Sequence, residues 1–192
     1  MVRLITLSLS VALLLSYSIK AYAQETTQKT DNLNCLDDIC FEQFIDSSYG
    51  PLEKRGIAKM TYFFFDLYVA TLYTLPNADI DDKDKPKVLI LHYLRDFKAQ
   101  DFIKSGEKVL RKDLKVDLSI FSKELSQIRQ IYSPVKQGDR YTIAYTPQQG
   151  LSLSLNGKFE GQINNDRFAN HYLDIWLSSN GIDRSLAEKL AN

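Results

Sequence analysis

The sequence predicts an α+β fold, an antiparallel sheet with helices packed on one face. Three observations carry this. Segments with strand-like alternation fall in two groups, residues 52–97 and 140–163, and each group is followed by helical spacing. Leu118, Phe121, Leu125, Ile128 and Tyr132 recur at intervals of 3, 4, 3 and 4, which is an amphipathic helix. Asn156-Gly157 separates two short alternating runs and is the strongest local hairpin signal, because both residues tolerate positive φ. The order strands, two helices, strands, two helices is that of an α+β domain.

The elements follow in order. Leu52 to Tyr62 and Phe63 to Leu75 read as two strands with a bend or short turn between them, the second rich in aromatic and β-branched residues. Alternation puts Phe63, Phe65, Leu67, Val69, Thr71 and Tyr73 on one face, and Phe64, Asp66, Tyr68, Ala70 and Leu72 on the other. Both faces are mostly apolar, which predicts cover on both sides. The acid-rich stretch Asn77 to Lys87 reads as an exposed loop, without the glycine and terminal glutamate of a calcium loop. Val88 to Phe97 is a third strand. Ala99 to Lys112 carries Phe102, Ile103, Val109 and Leu110 as a helical stripe, and the Leu118 to Tyr132 helix follows. Arg140 to Thr146, Leu151 to Leu155 and Lys158 to Ile163 are the remaining strands. Asp166 to Ser178 carries Phe168, Tyr172, Ile175 and Trp176 on one helical face, and Asn180-Gly181 can end it. Ser185-x-x-Glu188 is a capping box for a last helix.

The N-terminus is read as an export signal. A basic start at Arg3, an apolar run from Leu4 to Leu15 and the small-x-small triplet Ala21-Tyr22-Ala23 predict a signal peptide over 1–23, cleaved before Gln24. The run is too short for a spanning helix, which needs ~20 residues. No integral membrane segment is expected after cleavage, and the expected location is the periplasm. Residues 24–49 are expected to be a flexible leader and 50–192 the folded domain. Cys35 and Cys40 would then lie in an oxidising space, where a disulfide is expected, two free thiols being the alternative. Lying ahead of the core strands, the pair is expected to matter little for stability.

Composition narrows the function classes. Among 192 residues, 24 Lys and Arg balance 24 Asp and Glu, so no net charge speaks for nucleic acid. Two His and two Cys form no zinc or haem pattern, and neither a metal nor a cofactor is expected. The nucleophile elbow, the phosphate loop and the dinucleotide fingerprint are absent from the sequence. His92 reads as a packed or edge histidine of its strand. Polar groups set in apolar strands carry more information, because burying them unpaired costs roughly 1–3 kcal/mol. Asp66, Tyr68 and Arg95 are such groups. Two readings stand: a polar patch lining a cleft, or strand-end residues reaching solvent.

The string from Lys59 to Tyr73 resembles the early hairpin of bacterial chalcone isomerase-like proteins. Leu91 to Phe97, Val135 to Asp139, Tyr145 to Gly150, Leu155 to Lys158 and Ile175-Trp176-Leu177 agree in order, so the similarity covers roughly residues 50–191. The resemblance implies an open-faced β-sandwich, a large antiparallel sheet with helices on one face and a cleft between. It also implies that an arginine and a threonine should anchor an oxyanion in catalytic members, and an arginine and a tyrosine a fatty-acid carboxylate in binding members. Here the arginine position is Met60 and the threonine position is Tyr68. The expected function is therefore an exported, non-catalytic protein binding a small apolar or fatty-acid-like ligand. The expected ligand-binding residues are Phe64, Asp66, Tyr68, Leu72 and Arg95. The alternatives are a scaffold or partner-binding domain with a self-filled cleft, and an intramolecular lyase or isomerase.

Overall fold

A computed structural model describes residues 33–192, so the expected signal peptide and the leader up to residue 32 lie outside the described residues. Strands β1 (Leu33–Leu36) and β2 (Ile39–Glu42) form a small ribbon. Strands β3 (Phe44–Ile45), β4 (Leu52–Tyr62), β5 (Phe65–Thr74), β6 (Lys87–Tyr93), β7 (Arg140–Thr146), β8 (Gly150–Leu155) and β9 (Lys158–Ile163) form one sheet in chain order. Every neighbouring pair in it is antiparallel. Helices α1 (Ala99–Lys108), α2 (Ser122–Ile131), α3 (Asp166–Leu177) and α4 (Arg184–Ala191) pack on one face. A π-helical turn, Val109–Asp113, extends α1, and a 3-10 turn, Leu118–Phe121, leads into α2. The expected α+β architecture is the observed one.

Local chemistry explains the elements. In the β8–β9 hairpin Asn156 has φ +51° and Gly157 φ +78°, the left-handed pair that the dipeptide predicted. Side chains of Asn165 and Asp183 accept from the backbone N–H of Phe168 and Leu186, capping α3 and α4. The sheet's helix-facing rows, such as Leu72, Leu89, Ile143 and Leu153, meet Phe121, Ile128, Phe168 and Ile175 in a continuous core.

Alternation is broken at three places. Lys54 pairs with Tyr73 and Gly56 with Leu72, so Arg55 is an extra residue in β4. Met60 pairs with Tyr68 and Thr61 with Asp66, so Leu67 is an extra residue in β5. Leu153 pairs with Gly161 and Ser154 with Phe159, so Glu160 is extra in β9. Each bulge moves the residues beyond it to the opposite face. The turn between β4 and β5 consists of Phe63 and Phe64, and Phe63 has φ +55°. A β-carbon in that region costs roughly 1–2 kcal/mol.

The ribbon covers part of the sheet's other face. Lys59, Val69, His92 and Arg140 form one cross-strand row there. Asp37 pairs with Lys59 at 2.6 Å, Arg140 donates to the Cys40 carbonyl at 3.0 Å, and its guanidinium lies 4.8 Å from the Phe41 ring centre. Tyr73 donates to the Glu42 carbonyl at 2.7 Å, and burial pushes its phenol up to about 12. Phe41, Val69 and Thr71 are consequently buried. This corrects the expectation of a flexible leader through residue 49, since from Asp37 onward the segment is docked on the domain. The physical reason is non-local. Strands this short gain little alone and order only against an apolar sheet face.

Cys35 and Cys40 are joined by a disulfide across the turn at Asp37 and Asp38, both in the left-handed region at φ +50° and +64°. The bond closes the ribbon whose Phe41 seals the sheet, so its removal is not neutral. Replacing both cysteines with serine is expected to cost about 2 kcal/mol, the chain-entropy value for so short a loop. Urea unfolding of the oxidised protein and of the double variant measures it, and equal midpoints would show that the ribbon docks without its bond.

Candidate functional site

A cavity of about 190 Å³ opens between the helix-facing side of β5 and β6 and helices α1 and α3. The bulge at Leu67 helps to make it. In a regular strand Leu67 and Tyr68 would point to opposite faces, yet both line this cavity. Gly106 on α1 lines it as well, and the missing side chain leaves room beside Tyr172 and Ile175. Trp176 and Phe102 supply aromatic wall. Phe102 packs 5.4 Å from Tyr93 and 5.1 Å from Tyr132, centroid to centroid.

Apart from Asp101, Ser105 and the Trp176 indole, the polar side chains of this wall are four phenols. Trp176 Nε1 donates to Tyr68 Oη at 3.2 Å, so the Tyr68 hydroxyl proton has no acceptor among the described residues. Tyr172 and Tyr132 share one hydrogen bond of 2.8 Å, which leaves one of their two protons over. Tyr93 Oη makes no hydrogen bond among the described residues, although Tyr93 is buried. Burial raises the pKa of all four tyrosines, so each remains a neutral O–H donor at ordinary pH. The one charged lining residue, Asp101, is occupied, because its carboxylate accepts from the Lys98 backbone N–H at 2.9 Å and closes the first turn of α1. No lysine, arginine or histidine lines the cavity. Its chemistry is that of an apolar, aromatic hole with hydroxyl donors, suited to an uncharged group that accepts hydrogen bonds.

Of the residues singled out in the sequence, Tyr68 lines this cavity and the others do not. Leu72 shares its face but lies deeper, fully buried in the core beyond Ala70. Phe64 is in the β4–β5 turn and 95% exposed, so the expectation that it walls the cleft is corrected. Asp66 is corrected too: the extra residue Leu67 turns it to the opposite face, opposite Thr61. There it accepts from Thr61 Oγ1 at 2.7 Å and pairs with Lys59 at 2.8 Å, and Lys59 holds its carboxyl below the usual range. Arg95 lies beyond the end of β6, exposed, with its guanidinium 4.6 Å from the Phe65 ring centre. The solvent-reaching reading therefore describes Asp66 and Arg95. Met60, at the expected arginine position, is buried opposite Tyr68.

Sequence reasoning missed Tyr93, Tyr132, Tyr172 and Gly106 as a set. The available signal was phenols at core-facing positions of a strand and two helices, plus a glycine inside a helix. His92 is a structural group: Arg140 Nε donates to its Nδ1 at 3.1 Å, and burial, then the Arg140 charge, lowers its pKa. A second and larger cavity, about 380 Å³, lies against α3 and α4, and its wall mixes charged and apolar side chains. Lys83 there pairs with Asp174 at 2.6 Å, and buried Lys87 donates to the Asp82 carbonyl.

A family model described as chalcone isomerase-like matches residues 36–191, beginning inside the ribbon. The crystal structure of an Arabidopsis thaliana fatty-acid binding protein, AtFAP1, is similar with a TM-score of 0.62, covering 83% of this chain and 95% of that one. Sequence identity between the two is 13%, so the likeness is one of fold. No curated protein matches the chain.

Proposed function

The chain belongs to the chalcone isomerase-like family, and from that premise we propose that it is a non-catalytic protein holding a small, uncharged, largely apolar molecule in the cavity between Tyr68 and Trp176. The observation that carries this reading is the cavity wall, aromatic and aliphatic, with free phenol protons and no cation. An apolar cavity of ~150 Å³ takes a benzene ring. One of about 190 Å³ suits a single ring or a short alkyl segment, with a carbonyl or ester oxygen on the phenols. The fatty-acid binding protein of like fold supports an apolar ligand. An isomerase reading has less support. The resemblance gives catalytic members an anchoring arginine, and here Met60 stands at that position. An unfilled cavity also argues against a self-filled scaffold. Export to the periplasm is part of the proposal, supported by the apolar N-terminal run and compatible with the disulfide.

Trp176, the single tryptophan of the chain, lines the cavity and reports on it. Titration with octanoic acid and with its methyl ester is expected to give saturable changes in its emission, the ester binding at least as tightly at neutral pH. Tyr68→Phe is expected to weaken the ester by less than about 1.5 kcal/mol, the usual net size of one hydrogen bond. No saturable change with either compound would overturn the binding reading, and flavanone formed from a chalcone above background would restore the isomerase.

A further inference from the structure

Four consecutive aromatic residues crown the β4–β5 hairpin in water. Tyr62 is 58% exposed, Phe63 76%, Phe64 95% and Phe65 57%. Outside the hairpin Phe44, Tyr49 and Phe159 are exposed at separate positions of the sequence, whereas Tyr73, Tyr141, Tyr145 and Phe168 are almost fully enclosed. The turn is also held in a conformation that disfavours its residue, since Phe63 lies at φ +55° where glycine or asparagine would sit without strain. The fold thus places two phenylalanines at the tip against solvation, and Phe63 against backbone preference as well. We propose that this tip is a docking site for a lipid surface, its rings entering the interface between headgroups and acyl chains.

The size of the patch favours lipid over a second copy of the chain. At ~200 Å² per aromatic side chain, the exposed part is on the order of 600 Å². A stable protein interface buries about 800 Å² on each partner. A two-residue turn is also convex, and a convex tip buries more against a fluid than against a flat partner. Its electrostatics suit phosphate headgroups. Arg95 sits over the Phe65 ring at 4.6 Å and makes no ion pair among the described residues. Asp66, next in the chain to Phe65, and Asp37 both pair with Lys59. Aromatic rings with a neighbouring guanidinium are the pattern of interfacial anchors. The tip also leads into the cavity, because Leu67 in its wall follows Phe65 by two residues on β5. A docked tip turns that end of the cavity toward the source of an apolar ligand. The proposal does not depend on which ligand the cavity takes.

The test is co-sedimentation of the full chain with vesicles of phosphatidylcholine, alone and with phosphatidylglycerol. The Phe63→Ser/Phe64→Ser variant should lower the partition constant at least about ten-fold, as expected from the apolar area withdrawn. Both positions are exposed, so thermal unfolding of the variant should match that of the parent. The second reading is local to the tip. Emission gained in Phe64→Trp should shift to the blue on adding vesicles and be quenched by acyl-chain-brominated phosphatidylcholine. Equal partitioning of parent and serine variant together with no quenching in Phe64→Trp would overturn the proposal. So would a concentration-dependent dimer that the serine variant abolishes while vesicles bind neither protein. Loss of octanoate ester binding with vesicle binding intact would strike the cavity reading and leave this one standing.

Discussion

Gly106→Phe is expected to abolish binding of the octanoate ester, weakening it at least about 100-fold, or about 2.7 kcal/mol. Gly106 faces the cavity from α1, and a β-carbon there would lie 3.6 Å from Ile175 Cδ1 and 3.7 Å from Tyr172 Oη. Those are ordinary contacts, so the first carbon fits and the ring beyond it occupies the space a ligand needs. Folding should survive, because glycine inside a helix costs roughly 0.5–1 kcal/mol relative to alanine and any side chain recovers part of that. Gly106→Ala is the control. It should raise stability by about 0.5–1 kcal/mol and leave binding nearly unchanged. Emission of Trp176 follows binding and urea unfolding follows stability in both variants. A phenylalanine variant that is folded and binds like the parent would place the ligand site elsewhere.

Gly56→Ala should have the largest effect on stability, a loss of about 3–5 kcal/mol. Gly56 lies in β4 beside the extra residue Arg55, under the C-terminal end of α4. A β-carbon there would stand 2.0 Å from the Lys189 carbonyl oxygen and 3.0 Å from Leu190 Cα. Both are backbone atoms of a helix, and neither can rotate away. The helix must lift, drawing Leu186 and Leu190 partly out of the core. Amide exchange should accelerate over Arg184–Ala191 first. A midpoint of urea unfolding within experimental error of the parent would mean that α4 is not fixed against β4 as described.

Much of the architecture was legible in local pattern. The Asn156-Gly157 turn, the apolar stripe ending at Tyr132 and the six long strands all follow from short-range chemistry, whereas the last helix is capped by Asp183 and not by the Ser185-x-x-Glu188 box expected of it. Helix ends shifted by small amounts. Ala99–Lys108 passes into a π-turn, and Leu118 to Phe121 is 3-10 rather than α. The third strand ends at Tyr93 because the chain turns away, Phe97 then bridging to Val135.

The candidate site was far less legible, and the cause can be named. Strand faces alternate with a period of two, so one extra residue at Leu67 reverses every assignment beyond it. Asp66 leaves the cleft for that reason alone, and Leu67 enters it. Nothing in the local sequence marks the bulge. By itself, then, the chain determined its strands, helices, tightest turn and the two cysteines available to pair. Only the tertiary structure decided which face each side chain meets, that the ribbon seals the far side of the sheet, and that four tyrosines from β5, β6, α3 and the end of α2 gather around a void. Those outcomes depend on contacts between segments far apart in the chain, where close packing, rather than propensity, sets the energy.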